Sequence, residues 1–141
     1  MDWLALRKKS ADHDNPSVLI VDDDEGVREF LTRALNGFGY TTMVASDAET
    51  AFVLLSKRPH VVLLDVHLPG ASGLWFADKV RDRSPTTAII LATGDASVPP
   101  TESLRPQIVA YLLKPFSKES LRETVDAGVQ WSEGERRKSR P

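Results

Sequence analysis

The segment Val61-Val62-Leu63-Leu64-Asp65, followed by Val66-His67-Leu68-Pro69-Gly70, gives the clearest indication of the fold. Four consecutive apolar residues without polar alternation are typical of a short strand that is covered on both faces. The strand ends in a carboxylate, and a proline and a glycine then break the chain. Because the faces of such a strand are covered, Asp65 can meet water only at the strand's end. This position points to a functional acid.

Similar apolar runs recur on both sides of this strand. They lie at residues 18–21, 88–92 and 110–113, and a more polar run at 41–45 suits an edge strand. Between the runs are segments with helical periodicity, two of them preceded by the capping residues Asp47 and Ser117. Strands that alternate with helices at this spacing predict an α/β fold, with a doubly wound parallel sheet of five strands and five helices.

The fourth helix and the two ends of the chain are less regular. Pro99, Pro100 and Pro106 flank residues 101–105, and proline in a helix interior costs about 3 kcal/mol, so we expect a short or distorted fourth helix. Residues 1–15 are predicted to form an N-terminal extension and 16–131 the domain. Residues 132–141 are predicted to be a basic tail or the start of a linker, without contact to nucleic acid.

Composition excludes several classes of protein. The chain of 141 residues fits one domain, and its net charge of −2 gives no overall attraction to nucleic acid or anionic lipid. It contains no cysteine, which excludes a disulfide framework and a thiolate zinc site. No apolar run approaches the roughly 20 residues of a membrane helix, and the first residues do not resemble a secretory signal. We therefore expect a cytoplasmic protein without membrane contact.

Polar residues stand where four of the predicted strands end. Asp22-Asp23-Asp24 follow the first strand, Asp65 ends the third, Thr93 ends the fourth, and Lys114-Pro115 follow the fifth. Ligands of open parallel sheets bind beyond the carboxyl ends of the strands, so these side chains are expected to lie together. Clustered carboxylates repel one another unless a cation joins them, and hard oxygen ligands suit Mg²⁺ or Mn²⁺.

Such a site is equipped for phosphoryl transfer. The metal and Lys114 would neutralise the oxygens of a phosphoryl group, and the hydroxyl of Thr93 would donate to one of them. An aspartate can itself attack phosphorus and form an acyl phosphate. The pattern therefore predicts that Asp65 is a covalent phosphoryl acceptor.

These residues closely resemble the signature of the receiver domain of two-component response regulators, over residues 16–130. The matching motifs are Ile20-Val21-Asp22-Asp23-Asp24, Leu64-Asp65 with Pro69 and Gly73, Ala92-Thr93-Gly94, and Tyr111 followed by Lys114-Pro115-Phe116. The resemblance implies a flavodoxin-like (βα)5 fold with strand order 2-1-3-4-5. It also implies that Asp65 is the phosphoacceptor.

The resemblance assigns a metal site to the same acids. Asp22 and Asp23 would hold Mg²⁺ together with Asp65 and the backbone carbonyl of His67, with Asp23 the more direct ligand of the acidic pair. The side chains of His67 and Asp95 would lie beside the acceptor and tune the lifetime of its phosphoryl group.

Further residues correspond to the family's switch. Thr93 would be the switch hydroxyl, Lys114 the lysine that contacts the phosphate, and Tyr111 the aromatic switch. The peptide bond between Lys114 and Pro115 would be cis. Receivers usually carry Gly-Ala before the switch aromatic, whereas this chain has Val109-Ala110.

The resemblance implies a signalling module and not an enzyme, although the module assists its own phosphorylation and dephosphorylation. A histidine kinase or histidine phosphotransfer protein would supply the phosphoryl group. Phosphorylation would shift the conformation toward a state that controls an output domain or a downstream protein. The contact would run through the face of the fourth helix, fifth strand and fifth helix, with a homodimer as one option.

Two other functions are open at this point. The segment Asp22-Asp23-Asp24-Glu25-Gly26 also resembles the nucleophile motif of haloacid-dehalogenase-like phosphatases, in which Asp22 would attack and Asp24 would be the general acid. Against it, no acidic pair follows Lys114, and Asp65 and Tyr111 would have no role. The second alternative is a receiver-like interaction module that is never phosphorylated. The acids could also simply favour the start of a helix.

Overall fold

The computed structural model describes residues 15–68, 73–94 and 107–139, with the backbone alone for residues 73 and 74. These residues contain one five-stranded sheet. Its strands are β1 (Ser17–Val21), β2 (Thr41–Ala45), β3 (Val61–Asp65), β4 (Ala88–Thr93) and β5 (Ile108–Leu113). Neighbouring strands are parallel and follow the order β2-β1-β3-β4-β5. The predicted parallel sheet and its strand order are confirmed.

Helices connect the strands. They are α1 (Glu25–Gly37), α2 (Ala48–Leu54), α3 (Gly73–Arg83) and the C-terminal helix (Lys118–Lys138), with a 3-10 turn at Leu55–Lys57. Asp47 and Ser117 cap two of them as predicted, since each side chain accepts the backbone N–H three residues later. The region predicted to hold the distorted fourth helix, residues 95–106, lies outside the described residues, as do residues 1–14.

The sheet is covered by two apolar layers. The first packs α2, the 3-10 turn and α3 against one face through Ala48, Ala51, Leu55, Phe76, Ala77 and Val80. The second packs α1 and the C-terminal helix against the other face through Leu31, Ala34, Leu35, Leu121, Val125 and Val129. Every residue of the central strands β3 and β4 is buried, which agrees with their unbroken apolar sequences.

The C-terminal helix continues beyond the predicted domain boundary. It runs to Lys138, and Ser132, which was assigned to a tail, is fully buried. The Ser132 hydroxyl donates to the carbonyl of Thr86 at 2.5 Å, and the Arg136 guanidinium donates to the carbonyl of Arg58 at 2.7 Å. The boundary after residue 131 therefore falls inside a docked helix. Apolar periodicity did not reveal this because the docking contacts are polar.

A buried polar network closes the amino edge of the sheet. The Thr87 hydroxyl donates to the carbonyl of Pro59 at 2.5 Å and contacts the hydroxyl of Ser84 at 2.5 Å. The side-chain amide of Gln107 donates to the carbonyls of Ser84 and Thr87 at 3.1 and 2.9 Å. These bonds tie together the segments that enter β3, β4 and β5, so the polar groups are buried without loss of hydrogen bonds.

Gly128 sets how closely the C-terminal helix approaches the sheet. A Cβ atom there would lie 3.0 Å from Val61 Cγ2 and 3.4 Å from Ile90 Cδ1. We expect Gly128→Leu to lower the free energy of unfolding by about 1–3 kcal/mol, because the added side chain overpacks the layer. Urea denaturation followed by circular dichroism measures the change. Gly134→Leu is the matched control on the same helix, where the nearest atom is 3.9 Å away. An equal loss in both variants would contradict the packing explanation.

Candidate functional site

The carboxyl edge of the sheet brings together side chains that are far apart in sequence. Asp22 follows β1, Asp65 is the last residue of β3, and Lys114 follows β5. The Lys114 ammonium lies 2.9 Å from Asp22 Oδ2 and 3.6 Å from Asp65 Oδ2. Asp22 and Lys114 are 92 residues apart in the chain. The parallel topology places both residues at the same edge of the sheet, and the long Lys114 side chain spans the two strands that separate β5 from β1.

Each of the two buried carboxylates is held at both oxygens. Asp22 Oδ1 accepts the backbone N–H of Asp24 at 2.9 Å, and Asp65 Oδ1 accepts the backbone N–H of His67 at 3.0 Å. The Oδ2 atoms face Lys114. Asp22 and Asp65 are 3% and 8% exposed, so little solvent competes for these contacts. The turns that follow β1 and β3 therefore fix the orientation of both acids.

A third acid completes a set suited to a divalent cation. One carboxylate oxygen from each of Asp22, Asp23 and Asp65 lies within 4.8 Å of the other two, and Asp23 is exposed. The cluster holds three carboxylates, and the Lys114 ammonium contacts two of them, which leaves an excess of negative charge. Oxygen donors with solvent on one side are the environment that Mg²⁺ prefers, because Mg²⁺ usually keeps several water ligands. The acids present therefore fit this ion.

The charge state of Lys114 follows from its neighbours. Burial on its own lowers the pKa of the ammonium, but the hydrogen bond to Asp22 and the negative charges of Asp65 and Asp22 outweigh burial, so the pKa is raised above its ordinary value. Lys114 is therefore a fixed positive charge at neutral pH. Its peptide bond to Pro115 is cis, as the resemblance implied.

Thr93 lies on β4, the strand next to that of Asp65, and Tyr111 lies on β5, one strand further along the sheet. Thr93 ends β4, is 2% exposed, and accepts the backbone N–H of Lys114 at 2.8 Å through its carbonyl. Tyr111 lies on β5 opposite Leu91 and packs, half-buried, against the apolar layer of α2 and α3. The side chain of His67 is exposed, and Asp95 lies outside the described residues.

Sequence reasoning missed one residue of this edge and gave another an alternative role. The Arg28 guanidinium, one turn into α1, donates to the backbone carbonyl of Asp22 at 2.8 Å. Asp24 accepts the backbone N–H of Val27 at 3.0 Å and is the N-cap of α1. The acidic run is therefore divided, since Asp24 begins the helix while Asp22 and Asp23 lie in the carboxylate cluster with Asp65. The sequence feature that could have indicated Arg28 is a basic residue four positions after the N-cap Asp24.

Residues 18–126 match the family described as the response regulator receiver domain. The chain belongs to this family. Its CheY-like fold is shared with a receiver domain protein from Methanospirillum hungatei JF-1, with a TM-score of 0.77, 26% identity, and coverage of 86% of this chain and 99% of that one. The response regulator TrrA of Thermotoga maritima, solved in complex with Mg²⁺ and BeF, has a TM-score of 0.72 at 30% identity, with coverage of 80% and 98%.

Curated relatives of this receiver domain are longer proteins. The positive alginate biosynthesis regulatory protein of Pseudomonas aeruginosa is 36% identical over 113 residues, which are 77% of this chain and 45% of the relative. The transcriptional regulatory protein YrkP of Bacillus subtilis is 32% identical over 113 residues, or 80% of this chain and 49% of the relative. The chain thus spans about half the length of these relatives. The matches give no support to the phosphatase alternative.

Among the described segments, no helix combines the length and the apolarity required to cross a bilayer.

The contacts of Lys114 predict a measurable, pH-dependent contribution to stability. We expect Lys114→Met to lower the free energy of unfolding at neutral pH by about 1–3 kcal/mol without added metal, because Asp22 loses a charged hydrogen-bond donor and Asp65 loses a nearby positive charge. Since the folded pKa of Lys114 is raised, its stabilisation is fully present below the ordinary value of 10.5 and is lost as pH rises through the raised pKa. The difference between the two proteins should therefore shrink in strongly alkaline solution.

Lys118→Met is the matched control, because Lys118 is exposed at the start of the C-terminal helix. Urea denaturation across a pH series compares the three proteins. A Lys118→Met variant as unstable as Lys114→Met would contradict the assignment to the acid cluster.

Proposed function

We propose that this receiver domain accepts a phosphoryl group on Asp65 and changes conformation to control an output. The observation that carries the proposal is the position of Asp65, which is buried at the carboxyl edge with two further acids within 4.8 Å and an ammonium 3.6 Å from Oδ2. The donor would be a phosphohistidine of a histidine kinase or of a histidine phosphotransfer protein. The matched family uses this chemistry for signalling rather than for turnover of a substrate.

The transfer is a substitution at phosphorus. A carboxylate oxygen of Asp65 forms the new P–O bond, the P–N bond to the donor imidazole breaks, and the electron pair leaves with the imidazole. Lys114 is already positioned at this carboxylate and would neutralise charge on the phosphoryl oxygens. His67 would help to hold Asp65 in the attacking orientation through its backbone N–H.

A divalent cation belongs to this proposal. Asp22, Asp23 and Asp65 would hold Mg²⁺, or Mn²⁺ in its place, with the backbone carbonyl of His67 as a further ligand. When bound, the ion supplies positive charge for the oxygens of the transferred group. The presence of Mg²⁺ and BeF in the solved complex of the Thermotoga maritima relative supports this assignment. Arg28 would stabilise the turn that presents Asp22 and Asp23.

Thr93 and Tyr111 are the residues proposed to report phosphorylation. Thr93 ends the strand next to β3, so its hydroxyl would donate to a phosphoryl oxygen on Asp65. Tyr111 lies on the following strand and is only half-buried, so its ring would move inward when Thr93 does. Contacts made only in the phosphorylated state would shift the population toward that conformation.

The proposed partners follow from the family. Some longer relatives are named as DNA-binding or transcriptional regulators, so control of an output domain or a downstream protein is the expected result. In this chain the contact would use β5 and the C-terminal helix together with the predicted fourth helix, either for that output or for a homodimer. A cytoplasmic location fits this role.

Labelling tests the acceptor directly. Incubation with acetyl phosphate and Mg²⁺ should add one phosphoryl group, and peptide mapping by mass spectrometry should place it on Asp65. Asp65→Asn should abolish the gain in mass, because the amide is a poor nucleophile. Modification of Asp22 instead would favour the phosphatase mechanism. An unmodified parent protein, with acetyl phosphate and with a phosphorylated histidine donor, would favour the interaction module.

Metal binding is tested by thermal stability. Mg²⁺ at 100 times its dissociation constant should raise the free energy of unfolding by about 2.7 kcal/mol, because the ion binds only the folded acids. Asp23→Asn should weaken this response strongly. Asp24→Asn is the matched control, since it removes the same charge one residue away and asparagine still caps a helix. Equal responses in both variants would argue against Asp23 as a ligand.

A further inference from the structure

A groove between α2 and α3 has no role in the proposed phosphorylation chemistry. Its volume is about 330 Å³, and it is open to solvent. The residues that line it are Phe52, Val53, Leu55, Ser56, Arg58 and Arg83. Arg58 and Arg83 precede β3 and β4, so this α2–α3 groove lies toward the amino edge of the sheet, opposite the Asp65 cluster. The residues that line the groove therefore take no part in the chemistry of the Asp65 cluster.

The rim of the groove is aromatic and carries positive charge. The rings of Phe52 and Trp75 lie 6.0 Å apart between centroids, tilted by 48°. The Arg83 guanidinium lies 5.2 Å from the Phe52 centroid, and the Lys79 ammonium lies 5.4 Å from the Trp75 centroid. These cation–π contacts hold both long side chains over the rings. Less side-chain freedom would be lost when they bind an anion.

Two of the positive charges near the groove lie on the same face of α3 as Trp75. Trp75, Lys79 and Arg83 recur at four-residue intervals and share one face of α3. The neighbouring acids Asp78 and Asp82 contact Arg81 on the same helix, at 3.7 and 3.3 Å. Both charged residues that line the groove are arginines. Within the described ranges, neither the Arg58 nor the Arg83 guanidinium forms an ion pair with a carboxylate, so both charges are available to a ligand.

Apolar side chains are exposed beside these charges. Val53 is 70% exposed and Trp75 is 37% exposed, although both are large and apolar. Phe52 is half-buried between the groove and the apolar layer of the sheet. Adjacent apolar and cationic groups on an open surface are typical of a protein-binding site with an aromatic and arginine-rich centre.

We propose that the α2–α3 groove docks an acidic segment of a partner protein. An apolar side chain of that segment would pack on Val53 and Trp75, and flanking carboxylates would pair with Arg58 and Arg83. The charge pattern argues against a second copy as the occupant, because a symmetric contact centred on this groove would bring the arginines of both copies together. The net charge of −2 and the exposed valine make a nucleic acid the poorer ligand.

A peptide titration tests the proposal. The probe is a short fluorescein-labelled peptide in which glutamate alternates with leucine and phenylalanine, and fluorescence anisotropy measures its affinity for the full chain. Saturable binding is expected. Arg58→Glu combined with Arg83→Glu should weaken it by at least about tenfold, because the paired charges become repulsive. Val53→Asp should also weaken binding, and its exposed position leaves the apolar layer intact.

Matched controls separate specific docking from general charge attraction. Arg33→Glu combined with Arg137→Glu makes the same change in net charge at exposed positions on other helices and should leave the affinity unchanged. A peptide with glutamine in place of glutamate should bind at least about tenfold more weakly. Equal weakening by the control pair, equal affinity for the glutamine peptide, or tighter binding of a single-stranded oligonucleotide would each overturn the proposal, as would no binding at all.

The groove variants also keep this test apart from the phosphorylation proposal. Each should still accept a phosphoryl group on Asp65 from acetyl phosphate, because the groove lies at the other edge of the sheet. Retained circular dichroism and retained labelling show that the variants fold. Loss of peptide binding with normal labelling supports docking at the groove. Loss of both peptide binding and labelling would show that the substitutions damage the domain, and the role of Arg58 and Arg83 in docking would then lose its support.

Discussion

The contact of one ammonium with two buried carboxylates is the interaction on which the site depends. Lys114 reaches Asp22 and Asp65 because β1, β3 and β5 are parallel and end at the same edge of the sheet. The order of the strands therefore brings the acids and the lysine to one edge, and the length of the Lys114 side chain lets its ammonium reach both carboxylates. The same geometry crowds Asp23 against the other two acids. Three negative charges held close together by the sheet repel one another, and the single positive charge of Lys114 does not neutralise them.

Much of the fold and the placement of the site residues could be predicted from the sequence for the same reason. Unbroken apolar runs such as residues 61–64 can be assigned to strands from the sequence, because buried parallel strands have no polar face. Once the strands alternate with helices, the topology decides where their ends lie. The proximity of Asp65 and Lys114 then follows without knowledge of any side-chain contact. What these residues do chemically is a further step, since proximity alone does not reveal which acid takes the phosphoryl group.

The features that escaped prediction are polar contacts without a periodic signal. Ser132 and Arg136 dock the end of the C-terminal helix by donating to backbone carbonyls of residues distant in sequence, and these acceptors are the same in every residue type. Arg28 escaped for the same reason, because its acceptor is the carbonyl of Asp22 and not its carboxylate. Charge patterns in a sequence indicate ion pairs far better than they indicate side chains that bind the main chain.

The buried network of Thr87 and Gln107 has a consequence for how such a domain can diversify. It anchors the starts of three strands through hydrogen bonds that do not involve the acid cluster. Loop residues at the opposite edge that contact neither the acids nor Lys114 can therefore exchange during evolution while the scaffold keeps its cooperativity. The residues of the buried network should tolerate fewer substitutions than those loop residues.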